Sequence, residues 1–386
     1  MIAVIADDLT GAAELAGIGL AYGLKTQVTT DVEHTPNTDL LIIATDTRSL
    51  SAADAKLVIY EITLKLIALK PQVIFKKIDS VLRGHILEEL SSQLEASGSN
   101  RVLIVPGNPQ HNKKVKDGIY YYNDQPVHLS NYSIDPAFPV TSSNVRNMLC
   151  ADETLPVLKP NEKLSDKGII ICEAAEEHDL KHWVKQADDN TVIAGASGLF
   201  NQLLNYLGHE QLVSIKVPSP FLAPRLFVFG STFYQGKINV NDGFMNNIPV
   251  IYIPSWIIRD RDPKQHLYES YANEVLQNLK EHQGAIIAVH PDTTREIHIE
   301  PANLARKMAV IVSYIIRQIY LKELLIEGGA TAWAILEHLK ISKLYPVQQM
   351  SPGVIRMGIA DNNQLYVTLK PGSYEWPARV WEPTNH

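Results

Sequence analysis

Short apolar runs rich in β-branched residues alternate along the whole chain with longer segments of helical periodicity. In the first half these runs include Ile2–Ala6, Leu40–Ala44 and Gly168–Cys172. Strands that are buried on both faces read as continuous apolar runs, and parallel neighbours need a crossover helix between them. The alternation therefore predicts the α/β class, with two α/β domains whose sheets are largely parallel.

The same pattern predicts where the other elements lie. Further strands are expected at Gln27–Thr30, Val73–Phe75, Val102–Val105, Thr191–Ala194, Leu226–Phe229, Val250–Ile253, Ala285–Val289, Leu324–Ile326 and Leu365–Leu369. Helices are expected at Gly11–Tyr22, Ala52–Leu69, Ile86–Ala96, Asp179–Ala187, Leu199–Leu207, Lys264–His282, Pro301–Leu321 and Thr331–Leu339.

Two irregular segments divide this pattern. With 386 residues, the chain is long enough for two domains. The segment Lys216–Pro224 contains three prolines, which remove backbone donors and disfavour helix. We place the domain boundary there, with domains at residues 1–217 and 225–386 and a ligand site expected in the cleft between them. The segment Asn108–Pro139 is rich in turn formers and tyrosines and indicates an elaborated loop or hairpin.

Composition and charge exclude several classes of protein. Lys plus Arg number 35 against 42 Asp plus Glu, a net charge of -7, so there is no broad basic field for nucleic acid. The cysteines, Cys150 and Cys172, lack metal-ligand spacing, which favours a reducing compartment. The first apolar run stops at Asp7, too early for a signal peptide, and Met308–Ile316 is too short to span a membrane. We expect a cytoplasmic protein with neither nucleic-acid nor membrane partners.

Two adjacent carboxylates follow the first predicted strand, in Ala6-Asp-Asp-Leu-Thr-Gly-Ala12. The carboxyl ends of strands line the ligand crevice of open α/β sheets. Helix capping alone would explain one aspartate. Because adjacent side chains on an extended segment point in opposite directions, we expect one of Asp7 and Asp8 to face the crevice and the other to cap or support the helix. Thr10 belongs to the same turn.

Charged residues also end the fourth predicted strand, in Lys76-Lys-Ile-Asp-Ser-Val-Leu-Arg-Gly-His85. Strand alternation places Lys77 and Asp79 on one face, and Arg83 follows where the chain turns into a helix. Lysine and arginine bind carboxylate and phosphate oxygens. The segment therefore predicts a site for a small anion, although a solvated charge cluster with an internal salt bridge is the alternative.

Two weaker features follow other strands: Thr45-Asp-Thr-Arg-Ser49, which includes Arg48, and the loop from Pro106 through Asn112 and Lys113 to Asp117-Gly118. All four features lie at the carboxyl ends of predicted strands in one domain, so the fold allows them to converge on one site.

In the second half, Glu327-Gly-Gly-Ala-Thr-Ala332 predicts a phosphate-binding turn, because a strand meets two glycines and a threonine that opens a helix. Glycine turns also occur at Ser351-Pro-Gly-Val354 and Leu369-Lys-Pro-Gly-Ser373, and Lys370 is placed to meet a phosphate. The segment Gly230–Ile238 resembles a P-loop but lacks its spacing and its hydroxyl residue. There is no dinucleotide fingerprint, no HExxH pair and no nucleophile elbow.

Taken in order, these motifs resemble the four-carbon acid sugar kinase family over essentially the whole chain. The matching segments are Ala6–Ala12, Asp46–Ser49, Lys76–Gly84, Asp117-Gly118, Gly230-Ser231, Gly328–Thr331, Pro352–Val354 and Lys370–Gly372. The resemblance implies an N-terminal sugar-acid-binding domain and a C-terminal nucleotide-binding domain. It also implies phosphorylation of the terminal hydroxyl of a four-carbon sugar acid such as threonate, erythronate or 3-oxo-tetronate, with ATP and Mg²⁺ as cofactors. Whether the protein forms a homodimer stays open.

The resemblance and the residue chemistry together give a set of site hypotheses. Arg83 and Lys77 would hold the substrate carboxylate or the transferring phosphoryl group, and Asp8 or Asp79 would act as the base or orient the hydroxyl. The full expected set is Asp8, Asp79 and Arg83 in catalysis; Asp7, Thr10, Arg48, Lys76 and Lys77 in substrate binding; and Ser231, Gly328, Gly329, Ala330, Thr331, Gly353, Lys370 and Gly372 in nucleotide binding. Metal ligands stay open.

Two other functions fit parts of the pattern. A catalytically silent sugar-acid-binding protein would keep the first domain and carry a degenerate nucleotide domain. An NAD-linked sugar-acid dehydrogenase is disfavoured because the chain has no GxGxxG turn followed by an acidic residue.

Overall fold

A computed structural model of the chain describes residues 1–33, 37–135, 138–212, 220–230, 248–260, 264–290, 292–293, 300–372 and 374–382. The chain divides into two compact units, Met1–Val213 and Ser214–His386. The predicted boundary segment, Lys216–Pro224, lies partly outside the described residues, so the boundary stays a prediction.

The first unit is built on a parallel sheet and a small antiparallel one. Its strands are β1 (Ile2–Ala6), β2 (Thr26–Thr29), β3 (Leu40–Ala44), β4 (Val73–Lys77), β5 (Arg101–Val105), β6 (Lys113–Lys116), β7 (Ile119–Tyr122), β8 (Gln125–Pro126), β9 (Val157–Leu158), β10 (Gly168–Cys172) and β11 (Thr191–Gly195). The parallel sheet has the order β2-β3-β1-β4-β11-β5-β10-β9, and β6, β7 and β8 form the antiparallel sheet.

Helices follow the strands of this sheet. They are α1 (Leu9–Ala21), α2 (Ala52–Ala68), α3 (Ile86–Ser97), α4 (Val145–Met148), α5 (Glu177–Gln186) and α6 (Ser197–Tyr206). Side chains cap the starts of α1 and α2: the Asp8 carboxylate accepts from the Gly11 amide, and the Ser51 hydroxyl accepts from the Asp54 amide. Such caps satisfy amide groups that the first helical turn leaves without partners.

Apolar side chains fill the space between helices and sheet. One cluster joins β1 and β3 to α2 through residues such as Ile5, Ile43 and Ile59. Another joins β5 and α3 to the antiparallel sheet and includes Ile104 and Tyr120. The central strands β1 and β3 are buried along their whole length, which is why they read as uninterrupted apolar runs.

The second unit also centres on a mainly parallel sheet. Its strands are β12 (Arg225–Phe229), β13 (Val250–Tyr252), β14 (Gly284–Ala288), β15 (Glu323–Glu327), β16 (Lys343–Ser351), β17 (Val354–Ile359) and β18 (Asn362–Lys370), and its helices are α7 (Ser255–Arg259), α8 (Gln265–His282), α9 (Pro301–Gln318) and α10 (Gly329–His338). Strands β13-β14-β12-β15-β18 are parallel, and β17 and β16 continue the sheet in antiparallel fashion.

These elements confirm the α/β class and the predicted parallel sheets. The hairpin expected within Asn108–Pro139 is confirmed as β6, β7 and β8. The predicted helix Pro301–Leu321 was wrong at its end, because α9 stops at Gln318 and β15 begins at Glu323. The expectations missed β16 and β17. Among the described residues, no helix combines the length and the apolar character needed to cross a bilayer.

Gly195 offers a test of the first unit's packing. A Cβ at this position would lie 2.6 Å from the Val105 carbonyl oxygen and 2.5 Å from a methyl of Leu199. We expect Gly195→Ala to lower the free energy of unfolding by about 1–3 kcal/mol, because a strand carbonyl cannot move aside cheaply.

Gly284 is the matched strand glycine, since its Cβ would meet nothing closer than 3.5 Å. Denaturant titration of Gly195→Ala and Gly284→Ala measures the difference. Equal stability of the two variants would contradict the packing described.

Candidate ligand sites of the two units

Three neighbouring strands bring charged residues to one edge of the first unit's sheet. Strand β1 lies between β3 and β4, with Ala6 paired to both Ala44 and Lys77. Because all three strands are parallel, the segments that follow them meet at their shared carboxyl edge. Asp7, Arg48 and Asp79 come together there.

The guanidinium of Arg48 is the centre of this cluster. Its Nη2 lies 2.6 Å from Asp7 Oδ2, 3.4 Å from Asp79 Oδ1 and 3.6 Å from Asp8 Oδ1. Its Nε also donates to Asp7 Oδ2 at 2.9 Å. Burial opposes the charged form of Arg48, but the three carboxylates outweigh it and hold its pKa well above the ordinary value. One arginine thus ties together acids from two different strand ends.

Asp79 and Arg83 form a two-pronged ion pair beside this cluster. Arg83 Nε donates to Asp79 Oδ2 at 2.8 Å and Nη2 donates to Oδ1 at 2.7 Å. Arg83 Nη1 donates to Asp135 Oδ2 at 2.7 Å. Burial opposes ionisation of Asp79, yet Arg83 and Arg48 hold its pKa well below the usual range. Asp79 is therefore an ionised anchor, and three nitrogens of Arg83 already have carboxylate partners.

The two adjacent aspartates have different surroundings. Asp7 is buried and binds Arg48, and burial raises the pKa of its carboxyl above the ordinary value. Asp8 accepts the Gly11 amide at 2.9 Å and the Thr10 hydroxyl at 2.5 Å. Burial also raises the pKa of Asp8, but the charges of Arg48 and Lys77 outweigh burial, and the pKa of Asp8 lies below its ordinary value. Asp8 is thus held ionised in one orientation at the start of α1, and its side chain stays 15% exposed while that of Asp7 is 4% exposed.

Asp46 is a further acid at this edge. Its backbone is left-handed, with φ of 49°, a conformation that non-glycine residues adopt rarely. Burial raises the pKa of Asp46 to about 7, and the charge of Asp8 adds to the effect. The site therefore holds one carboxyl group that changes protonation near neutral pH.

The two lysines that end β4 point to opposite sides of the sheet. Lys76 is fully buried, and its ammonium lies 2.6 Å from Glu89 Oε2 on α3. Lys77 donates to the Ile78 carbonyl at 2.9 Å and lies 3.7 Å from Glu14 Oε2 on α1. The charge of Lys77 helps to lower the pKa of Asp8, and the charge of Lys76 acts in the lowering direction on the pKa of Asp7, which burial raises. The expected substrate role of Lys76 stays a prediction, since its ammonium is already in a buried pair.

The antiparallel sheet holds the loop between β4 and α3. Lys113 Nζ donates to Ser80 Oγ at 2.6 Å, and the Tyr120 hydroxyl donates to the carbonyl of Ser80. Ser80 directly follows Asp79, so these bonds fix the segment that carries the Asp79–Arg83 pair.

In the second unit, the predicted phosphate turn joins β15 to α10. Gly328 has φ of 99° and is the N-cap of α10, with no side-chain cap bond. The first turn of a helix presents amides that have no intrahelical partner. Gly230, which follows the adjacent strand β12, approaches so closely that a Cβ there would lie 1.8 Å from Thr331 Oγ1. Two glycine turns therefore meet at the carboxyl edge of this sheet.

The other expected nucleotide residues lie around this turn. Lys370 ends β18 and is paired with Glu327 at 3.1 Å, and Glu327 also accepts from Trp376 Nε1 at 3.0 Å. Burial lowers the pKa of Lys370, and Glu327 opposes that effect. Gly353 has φ of 73° and faces the ring of Tyr374. Gly372 lies beyond β18, whereas Ser231 lies outside the described residues.

Sequence reasoning missed several partners of these charges. Glu89, Glu14 and Asp135 neutralise Lys76, Lys77 and Arg83. Glu14 and Glu89 lie on helices and belong to no recognisable sequence motif. Their positions in the first half of α1 and α3 are the only sequence signal that could have suggested them as partners of the lysines. Among the described residues, no group of three or more His, Cys, Asp or Glu is arranged to hold a metal ion.

Comparison with known families agrees with this division of the chain. Residues 2–203 match the family model described as a sugar-binding N-terminal domain, and residues 246–374 match a nucleotide-binding C-terminal domain. The fold and these two matches define an α/β protein that combines a domain of a sugar-binding family with a domain of a nucleotide-binding family. The chain belongs to the four-carbon acid sugar kinase family, as its motifs suggested.

Several curated relatives carry kinase names. The chain is 33% identical over 215 residues to a D-threonate kinase of Bordetella bronchiseptica and 28% identical over 222 residues to one of Salmonella typhimurium. These matches span about half of this chain and about half the length of each relative. A 3-oxo-tetronate kinase of Pseudomonas fluorescens is 24% identical over 97% of this chain and 94% of the relative.

Solved structures share the fold. A Salmonella typhimurium protein named as a candidate tRNA synthase aligns with a TM-score of 0.74 at 19% identity, covering 98% of this chain and 97% of that chain. A Haemophilus influenzae protein aligns with a TM-score of 0.68 at 18% identity, covering 98% of each chain. At such identity the likeness concerns the fold alone.

The buried Lys76–Glu89 pair gives a stability prediction. We expect Lys76→Met to lower the free energy of unfolding by about 3–5 kcal/mol, because it leaves the Glu89 carboxylate buried without a cation. The double variant Lys76→Met with Glu89→Leu should recover most of the loss. Denaturant titration measures both. A double variant as unstable as Lys76→Met would show that the pair is not the source of the effect.

Proposed function

We propose that the protein is an ATP-dependent kinase that phosphorylates the terminal hydroxyl of a four-carbon sugar acid. The kinase names of the relatives support this reaction class at 20–33% identity. The candidate substrates are threonate, erythronate and 3-oxo-tetronate, because these acids recur in the names of the relatives.

The observation that carries the proposal is the division of roles between Asp7 and Asp8. Asp7 neutralises Arg48, while Asp8 is ionised, fixed by two hydrogen bonds and partly exposed beside Lys77. A carboxylate has four lone-pair sites, so Asp8 retains acceptor capacity for a substrate hydroxyl. Orienting that hydroxyl and accepting its proton is the task of the carboxylate in kinase chemistry.

The cations of the first unit supply charge for an anionic substrate. Arg48, Arg83 and Lys77 lie at one edge, and each is already held by carboxylates. Their positions are therefore set before a ligand arrives, which lowers the entropic cost of binding. We assign Asp79 and Arg83 to positioning this edge, with Asp8 as the group nearest the chemistry.

The second unit would hold the triphosphate. Gly230 and the turn Gly328–Thr331 meet at the carboxyl edge between β12 and β15, where α/β sheets bind nucleotides. Mg²⁺ fits this arrangement as a companion of the nucleotide, because it keeps several waters and needs only one or two carboxylates besides phosphate oxygens. Bound there, it would neutralise charge on the transferring phosphoryl group. Glu327 is the carboxylate at the turn itself.

A coupled ADP-release assay across the stereoisomers of threonate, erythronate and 3-oxo-tetronate tests this function. We expect release with one of these acids and Mg-ATP. Calorimetry with the same acids distinguishes the silent binding protein, because a chain that binds an acid and never releases ADP would contradict the kinase assignment.

Asp8→Asn tests the assigned role. Asparagine is also a good N-cap and can accept the Gly11 amide, so the fold should persist while kcat falls by about 10²–10⁴-fold. Asp124→Asn is the matched control, since Asp124 is exposed and pairs only with the surface residue Lys114 among the contacts described. An Asp8→Asn enzyme as fast as the control would remove Asp8 from the mechanism.

A further inference from the structure

Lys113 is a buried lysine to which the described residues supply no carboxylate partner. It is 4% exposed, and its ammonium donates 2.6 Å to Ser80 Oγ. In the part of the chain that the structure describes, no carboxylate oxygen lies within 4.0 Å of this ammonium. An ammonium has three N–H donors, so the bond to Ser80 uses one of them.

The other buried cations of the first unit differ in this respect. Lys76 pairs with Glu89, Lys77 with Glu14, and Arg48 with Asp7. A buried charge without a counter-charge is costly. The rings of Tyr132 and Tyr122, centred 5.3 Å and 5.9 Å from the Lys113 ammonium, offset part of that cost. Lys113 differs from these neighbours because none of the described residues places a carboxylate beside its ammonium.

Lys113 also lies beside the candidate ligand site. Its hydrogen-bond partner, Ser80, directly follows Asp79. Burial lowers the pKa of His111; of the two nearby charges, Glu14 raises this pKa and Lys113 lowers it. Glu14 lies on α1 and also contacts Lys77. The backbone is fixed, because Lys113 and Asn108 exchange backbone bonds of 2.7 Å and 3.2 Å. The ammonium is therefore held at the carboxyl edge of the sheet rather than on a free surface.

We propose that Lys113 is a specificity-determining residue that binds the carboxylate end of the sugar acid. This inference rests on the proposed function and adds the group that distinguishes an acid from an uncharged polyhydroxy compound. The substrate carboxylate supplies the counter-charge that the described part of the chain does not give to Lys113, while the hydroxyl end of the same molecule meets Asp8. A charge-assisted hydrogen bond of this kind is stronger than a neutral one.

The test compares each sugar acid with its primary amide, which keeps the hydroxyl groups and loses the charge. We expect Lys113→Met to lower kcat/KM for the acid by about 10- to 100-fold, the range for a lost hydrogen bond to a charged group. The kcat/KM for the amide should change no more than it does in Ser80→Ala, which loses the same bond to the loop. The KM for ATP should stay within about twofold of wild type, a limit that corresponds to a negligible free-energy change. Lys113→Arg should keep much of the preference for the acid.

Two controls separate this role from a structural one. Ser80→Ala removes the bond between Lys113 and the loop but keeps the ammonium, so it should retain the preference for the acid. Lys114→Met removes an adjacent exposed lysine that pairs with Asp124, and it should behave as wild type. Equal losses for acid and amide in Lys113→Met, or the same loss of preference in Ser80→Ala, would overturn the proposal.

Calorimetric titration of the acid keeps this test independent of turnover. Weaker binding of the acid by Lys113→Met than by wild type supports the inference even if no ADP is released, a result that would count against the kinase proposal alone. Unchanged acid affinity in a Lys113→Met protein whose melting temperature matches wild type would overturn the inference and leave the kinase proposal standing.

Discussion

The first unit depends on one largely buried guanidinium shared among three carboxylates. Arg48 comes from the segment after β3, while Asp7 and Asp8 follow β1 and Asp79 follows β4. Each of these acids would be costly to bury alone, and the arginine would be equally costly without them. The cluster therefore forms only if the three strands adopt the observed parallel register. Fold and site constrain each other at this point.

Positive and negative side chains alternate at this edge. They differ in whether they keep hydrogen-bonding capacity for a ligand. Asp79 and Arg83 neutralise each other through two hydrogen bonds, and Asp135 adds a third. Lys76 and Glu89 form a separate buried pair. Asp8 and Lys113 differ from these groups, since the first is partly exposed and ionised and the second has no carboxylate partner among the described residues. The site combines a preformed frame with two groups that retain capacity for a ligand.

Much of this arrangement could be predicted from the sequence, for definable reasons. Strands β1, β3 and β10 were located at their observed bounds because buried parallel strands are continuous apolar runs. The convergence of Asp7, Arg48 and Asp79 followed from their places after strands. The partners of the lysines could not be predicted, because Glu14 and Glu89 lie on helices whose rotation about the sheet is set by tertiary packing. The sequence pattern does not reveal β16, because its burial is irregular and Pro346 lies within it. Strand β17 is buried along its whole length, but Arg356 and Gly358 interrupt its apolar run.

The central claim is that the carboxyl edge of β1, β3 and β4 holds the sugar acid. Its most direct test is a crystal structure of the protein grown with whichever four-carbon acid binds most tightly in solution, read as difference electron density for that acid. We expect density at this edge, with a hydroxyl oxygen within hydrogen-bond distance of Asp8 and the carboxylate against Lys113. Density for the acid elsewhere, with this edge holding only water, would contradict it.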